Sequence, residues 1–477
     1  MSDTLELINK TAIEVVSLLR KKEISPSDLL LCLQDRIKSI DDQVNALPTL
    51  CFERAFEHAN RLEKKPIEDR GILAGLPIPI KDLTPVKGIL FTSGSTIFKD
   101  RIASFSDMSV KKIEAQGGIV YAKSNTPEFG AGGNTFNNVF GKTLNPWDLR
   151  MSTAGSSGGA AAALASGMAW LAHGSDMGGS LRNPASFCGV VGMRPSPGRV
   201  ARGPSLLPFN SLGVQGPMAR NVADLALFFD VMTGADHRDP LSFSESKISF
   251  LEAAKSSQKP AKIAFSVDFG FMPVDTEVAE ICRGAAKKIQ EFGIIVEECH
   301  PKLDNVIETF WTLRSHSFAM TMGPLVKQFQ DHFKRELLDN INIGYRLSID
   351  ELGNAETARS MIYEKMFNFF DEYDLLLVPS TIVPAFPIEQ RFVKKCNDKI
   401  FNTYVDWMGI TFPATLAGCP ALSIPAGFTK KGLPVGLQLI SRQKSEAKLI
   451  SSAQAIEGIL GKNNLPIDPR QKGFLSA

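Results

Sequence analysis

The chain has 477 residues, 44% hydrophobic and 22% charged, with 53 Lys and Arg against 51 Asp and Glu for a formal net charge of +2. That balance removes the electrostatic case for nucleic acid or an anionic membrane as a direct partner, and no apolar run approaches the roughly 18 residues that span a bilayer. Seven scattered cysteines, odd in number and without C-x-x-C spacing, read as reduced thiols; the N-terminus MSDTLELINK lacks a basic-then-apolar leader, so a cytoplasmic protein without metal or cofactor is expected.

In chain order, the first 65 residues read as helical. Ser25-Pro26-Ser27-Asp28 is a helix start, with Ser25 as N-cap, Pro26 at the first helical position and an acid in the first turn. Leu29, Leu30, Leu33, Ile37 and Ile40 follow at helical spacing. From Leu73 onward short apolar strands alternate with helices. The strand candidates are 76–80, 119–122, 169–173, 263–267, 294–297, 375–378, 421–424 and 435–440, with helices over 222–232, 277–292 and 445–459. Alternation with mostly apolar strands predicts an α/β fold, a sheet covered by helices on both faces. No linker, charge block or repeat divides the chain. Residues 1–65 are therefore expected to pack as a helical segment on one domain spanning 66–477. The stretch 236–260 looks like a long surface excursion.

Glycine is concentrated where chemistry is expected. Nine glycines fall between Gly155 and Gly192, where 38 glycines in 477 residues would place about three. They form two knots, Gly155-Ser156-Ser157-Gly158-Gly159 and Gly178-Gly179-Ser180, around an Ala-rich run. Such density lets backbones approach a ligand and lets successive N–H groups converge on one point, beside serines able to act as nucleophiles.

The first knot satisfies G-x-S-x-G, the nucleophile elbow that would make Ser157 the attacking group. That arrangement needs a histidine downstream and a buried strand upstream. None of the six histidines follows His332, and Asn145-Pro146-Trp147-Asp148 reads as loop. A lysine base fits better. Lys81 ends the apolar segment Leu76-Pro77-Ile78-Pro79-Ile80. An unperturbed lysine is neutral in only about one molecule in 2,500 at pH 7, but burial behind Leu76, Ile78, Ile80 and Leu83 would lower its pKa. Strand alternation turns the adjacent Asp82 to the opposite face.

GLPIPIKDL, STAGSSGGAAAALASG and GSDMGGSLRNPASFCGVVGMRPSPGRV together closely resemble the amidase signature family. So do Thr126-Pro127-Glu128-Phe129-Gly130, the run Leu212–Arg220 and LAGCPALSIPAGFTKKGLPVGLQLI. Separations of 75 residues between Lys81 and Ser156 and 24 between Ser156 and Ser180 match the family's register. The resemblance implies that family's fold, a large mixed central sheet covered by helices on both faces, and a Ser–cisSer–Lys triad. Ser180 would attack the amide carbonyl, Ser156 on a cis peptide would relay the proton, and Lys81 would accept it. Met177, Gly178 and Gly179 would offer backbone N–H groups to the oxyanion, each worth about 3–4 kcal/mol in the transition state. Ser157, Asp176 and Arg182 would support this network, while His173 and Cys188 read as core. Ala154 stands where the family often has glycine.

Two activities remain from this resemblance: a free-standing amidase working through an acyl-enzyme on a small-molecule amide, or the glutaminase subunit of a glutamyl-tRNA(Gln) amidotransferase complex. The second expects an aspartate before the LAG motif, and Asp406 stands about two residues too far upstream. Trp407, Met408 and Phe412 instead predict an apolar acyl or aryl pocket, with walls drawn from loops at 125–136, 204–209, 311–322 and 386–408. The resemblance leaves the oligomeric state open, homodimers being common in the family.

Overall fold

The computed structural model describes residues 2–244, 246 and 248–470. Pro77 and Pro79 have no N–H to donate, which confines the strand Pro77–Lys81 to a sheet margin. It lies there, parallel to Ile119–Ser124, at one edge of a three-stranded sheet completed by Thr49–Leu50. The register slips between Ile78 and Pro79 and then sets Lys81 opposite Ser124. All five residues of the lysine strand are buried.

A separate eight-stranded sheet runs in the order Ile295–Glu298, Lys262–Phe265, Leu375–Pro379, Pro434–Ile440, Ala421–Phe428, Val191–Arg194, Val214–Ala219 and Leu171–Asp176. Its first three strands are mutually parallel and every later pairing is antiparallel. Helices Arg182–Cys188, Val222–Met232, Thr276–Glu291 and Glu446–Leu460 pack on it. The large mixed sheet with helical layers is the expected α/β architecture. The lysine strand belongs to the smaller sheet, and that edge packs against Leu171–Asp176, the terminal strand of the larger one. The site forms along this seam.

The N-terminal helices begin where their caps dictate. Thr11 and Glu14 form one capping box and Ser25 and Asp28 another, with Pro26 in the first turn of Pro26–Val44. Leu29, Leu33 and Ile37 join the same buried cluster as Leu76 and Ile78. Helix Ala12–Lys21 is held by Asp224, whose buried carboxylate accepts the N–H groups of Ala12 at 2.9 Å and Ile13 at 3.1 Å. Asp224→Ala leaves both donors without that acceptor and is expected to cost about 2–3 kcal/mol. A lowered melting temperature, with faster amide exchange confined first to residues 12–21, checks this.

Three local expectations are overturned. Residues 236–260 contain the helix Phe250–Ser256, which packs on Val222–Met232 and Glu446–Leu460. Phe250 lies 4.4 Å from the Phe229 ring centre, and this apolar anchor organises a segment that composition alone makes look loose. Residues 311–322 lie inside the helix Val306–Phe329 rather than in a loop. Asn145 and Asp148, expected in a loop, lie in two short strands, Leu144–Asn145 and Asp148–Ser152, paired in a ribbon of their own. Among the described residues no helix is long and apolar enough to cross a membrane.

Candidate active site

Lys81 ends its strand with no exposed surface, and its amine faces three serine hydroxyls. Nζ lies 2.8 Å from Ser156 Oγ, 2.8 Å from Ser157 Oγ and 3.0 Å from Ser175 Oγ. Burial lowers the amine from its ordinary value near 10.5 to about 7, and the carboxylate of Asp176 pulls weakly the other way. A large share of molecules then carry a neutral amine at pH 7, with a lone pair available to a hydroxyl proton. Asp82 is turned away, accepting from Lys123 Nζ at 2.9 Å and from the Thr92 hydroxyl. The alternation expected from the strand puts that charge out of the amine's reach.

The peptide bond Gly155–Ser156 is cis, and Ser156 opens toward a cavity of about 220 Å³ whose wall also includes Ser175, Met177 and Ser180. Ala154, just before, is fully buried with a positive φ of 56°, a conformation that explains why glycine suits this position. The next helix, Gly158–Ala165, is buried along its whole length. Ser157 N–H donates to the Ser180 carbonyl at 3.2 Å, tying the two knots together. Ser157 Oγ also donates to the Ser175 carbonyl at 3.2 Å. Ser180 is partly exposed in the cavity, and its hydroxyl meets no hydrogen-bond partner among the described residues.

The loop carrying Ser180 is fixed by Asp176. Its carboxylate accepts from Arg182 Nε at 3.0 Å and Nη2 at 2.9 Å, from Arg194 Nη1 at 3.4 Å, and from the N–H groups of Gly179 at 3.1 Å and Leu181 at 3.0 Å. Burial pushes this carboxyl up, but Arg182 and Arg194 outweigh it and hold the group well below the usual carboxylate range. Because the Gly179 N–H is committed to Asp176, one of the three expected oxyanion donors is already occupied. The N–H groups of Met177, Gly178 and Ser180 meet no acceptor among the described residues. Gly179 has φ of 96°, and a Cβ there would sit 2.7 Å from the Asn183 amide, so glycine is required on both counts.

His173 and Cys188 are fully buried core residues, as expected. Trp407, Met408 and Phe412, expected to form an apolar pocket, do not wall the cavity beside Ser180. Trp407 stacks beside Phe187 and meets Phe386 edge-on, and Phe412 stacks on Phe310 with ring centres 3.7 Å apart. These large side chains fill space behind the site. Asp406 accepts the Trp311 indole N–H at 2.7 Å and lies outside the cavity wall. Of the four expected wall segments, only 125–136 and 311–322 contribute, through Phe129, Gly130, Arg314 and Phe318.

Sequence reasoning missed Ser175, Arg202, Gln215 and Arg314, all in the cavity wall. Ser175 had a signal, a hydroxyl beside Asp176 on the strand that leads into the second knot, and Gln215 lies within the run Leu212–Arg220; Arg202 and Arg314 lie outside every motif and only folding brings them in. A larger surface groove of about 1570 Å³ runs along the helix Pro26–Val44 but contains neither Lys81 nor any of these serines.

Fold and site geometry together place the chain among mixed-sheet α/β enzymes whose polar centre is a buried amine among serine hydroxyls. The Amidase family model matches residues 28–450. An acylamidase of Rhodococcus erythropolis is 33% identical over 454 residues, covering 94% of this chain and 95% of the relative. A glutamyl-tRNA(Gln) amidotransferase subunit of Moorella thermoacetica is 34% identical over 479 residues, covering 95% and 97%. The crystal structure of a bacterial aryl acylamidase of the amidase signature family superposes with a TM-score of 0.89 at 28% identity, covering 94% of this chain and 96% of that one. The chain belongs to the amidase signature family, enzymes that hydrolyse amides.

Proposed function

We propose that this chain is a free-standing amidase that cleaves a carboxylic amide C–N bond through an acyl-enzyme on Ser180. The observation that carries this reading is the Lys81 amine, buried without exposure and 2.8 Å from Ser156 Oγ. Ser180 Oγ attacks the amide carbonyl while its proton passes to Ser156, whose own proton passes to Lys81. The N–H groups of Met177 and Gly178, with that of Ser180, stabilise the oxyanion in place of the occupied Gly179. The relay then runs backward to protonate the departing amine, and water resolves the acyl-enzyme by the same route. Ser157 keeps the amine in register, and the pair Asp176–Arg182 keeps the Ser180 loop in place.

A second reading, the glutaminase component of an amidotransferase, is favoured by relatives such as the Moorella thermoacetica protein. Against it, no unpaired carboxylate among the described residues lines the cavity to receive the α-ammonium of glutamine, since Asp176 is bound by two arginines. Hydrolysis of a panel of aliphatic, aryl and amino-acid amides by the purified chain alone separates the two. Turnover of simple amides without partners is expected; activity on glutamine only, and only with added partner proteins, reverses the assignment.

A further inference from the structure

The cavity beside Ser180 is more cationic than hydrolysis of a simple amide requires. Arg314, on the helix Val306–Phe329, is 5% exposed and lines the wall. Its Nε donates to Asn340 Oδ1 at 3.1 Å, Nη2 to the Tyr404 hydroxyl at 2.8 Å and Nη1 to Met177 Sδ at 3.3 Å. All three partners are neutral, and the thioether is a weak acceptor. A guanidinium has five N–H donors, so two have no recipient among the described residues. No carboxylate among the described residues lies within ion-pair distance of Arg314, and the Lys334 amine is near enough for Arg314 to depress its pKa.

Arg202 enters the same wall from another part of the chain. Its Nη2 donates to the Asn210 carbonyl, and it too has no carboxylate within ion-pair distance among the described residues. The Asp239 carboxylate accepts the backbone N–H of Arg202 at 3.0 Å and that of Asp107 the N–H of Gly203 at 2.9 Å; both act on the guanidinium from beyond ion-pair distance, and desolvation outweighs them. Gly213 makes room for it: a Cβ there would lie 3.2 Å from Arg202 Nη1. Enclosing a cation with no anion in direct contact is costly; the buried Arg314, its guanidinium 4.2 Å over the Phe318 ring, and the half-buried Arg202 give one small cavity a positive edge that a ligand carboxylate would balance. Leu83, Phe129 and Phe318 supply apolar wall between them for a few methylenes.

We infer that the site is built for amides carrying a carboxylate a few bonds from the scissile carbonyl, with Arg314 and Arg202 as the carboxylate's partners. This rests on the amidase reading and narrows its substrate class. Guanidinium groups hold carboxylates by paired charge-assisted hydrogen bonds, and a cavity of about 220 Å³ suits a short monoamide of a dicarboxylic acid. Water supplies the hydroxyl to the new C–O bond, the C–N bond breaks, the amine leaves protonated, and a dicarboxylate is released. An added α-ammonium would face two cations with no free acid, so des-amino compounds are preferred to amino-acid amides.

The experiment compares glutaramate with valeramide and L-glutamine, in the native chain and in Arg314→Gln, Arg314→Lys and Arg202→Gln. Native kcat/KM is expected to be at least tenfold higher for glutaramate than for either competitor. Arg314→Gln should shrink the glutaramate-to-valeramide ratio at least tenfold, mainly through KM, and Arg314→Lys should restore part of it. Arg202→Gln gives the same direction if Arg314→Gln fails to fold. Free glutarate should raise the melting temperature of the native chain and of Ser180→Ala, but not of Arg314→Gln. Valeramide hydrolysed as well as glutaramate, or an unchanged ratio in both arginine variants, overturns the inference while leaving the amidase intact. If no amide is hydrolysed, the amidase reading fails by itself, and the glutarate shift still decides whether the arginines form a carboxylate site.

Discussion

Ser180→Ala is expected to lower amide turnover at least about a thousandfold, because no other hydroxyl in the cavity can take its place as nucleophile. Ser180 is partly exposed in the cavity with an unengaged hydroxyl, next to open backbone N–H groups. Ser157 is fully buried, and its oxygen is held between the Lys81 amine and the Ser175 carbonyl. Ser157→Ala should therefore slow turnover by a smaller factor. A fluorophosphonate probe followed by peptide mapping provides the check. Label on Ser180 supports the assignment, whereas label on Ser157 would restore the elbow arrangement.

Lys81→Met is expected to cost at least about a hundredfold in kcat/KM and, unlike most inactivating changes, to make the protein more stable at pH 7. The amine has a folded pKa of about 7 against 10.5 for the free side chain. Between those values the unfolded chain holds a proton that the folded chain does not. Stability therefore rises with pH across this window, and the burial cost is fully present below pH 7. Methionine removes that cost, for a gain on the order of 1–3 kcal/mol after the serines lose a partner. The gain should shrink as the pH approaches 10.5. In the native chain kcat/KM should climb about tenfold per unit below pH 7 and level off above it, while Lys81→Met shows no such rise. Melting curves and pH–rate profiles of both proteins test the pair of effects. Loss of activity with loss of stability would mean that the lysine is structural.

Much of the candidate site was legible because its signals are local. The apolar segment ending at Lys81 declares a strand, Ser25-Pro26-Ser27-Asp28 declares a helix start, and the two knots keep their spacing whatever packs around them. The strand over 375–378 and the helix Val222–Met232 were equally readable from apolar pattern. The helix Val306–Phe329 was not. It has Pro324 within it and no side-chain cap at its start, so local signals for a helix are weak and burial against its neighbours decides. Trp407 and Phe412 carried the opposite error. Large apolar residues near a site favour a pocket wall and a core equally, and only the stacking partners distinguish the two.

The amino-acid order by itself determined which groups could react: a lysine closing an apolar strand, two hydroxyls among glycines and an acid–arginine pair around the second knot. Folding decided the state and company of those groups. Lys81 is depressed because two sheet margins close over it, Asp82 is harmless because Lys123 holds it, and Gly179 is occupied because Asp176 reaches its N–H. Arg202 and Arg314 reach the cavity from stretches with no motif. Burial, pairing and desolvation depend on which distant segments meet, and that information is absent from any short window of sequence.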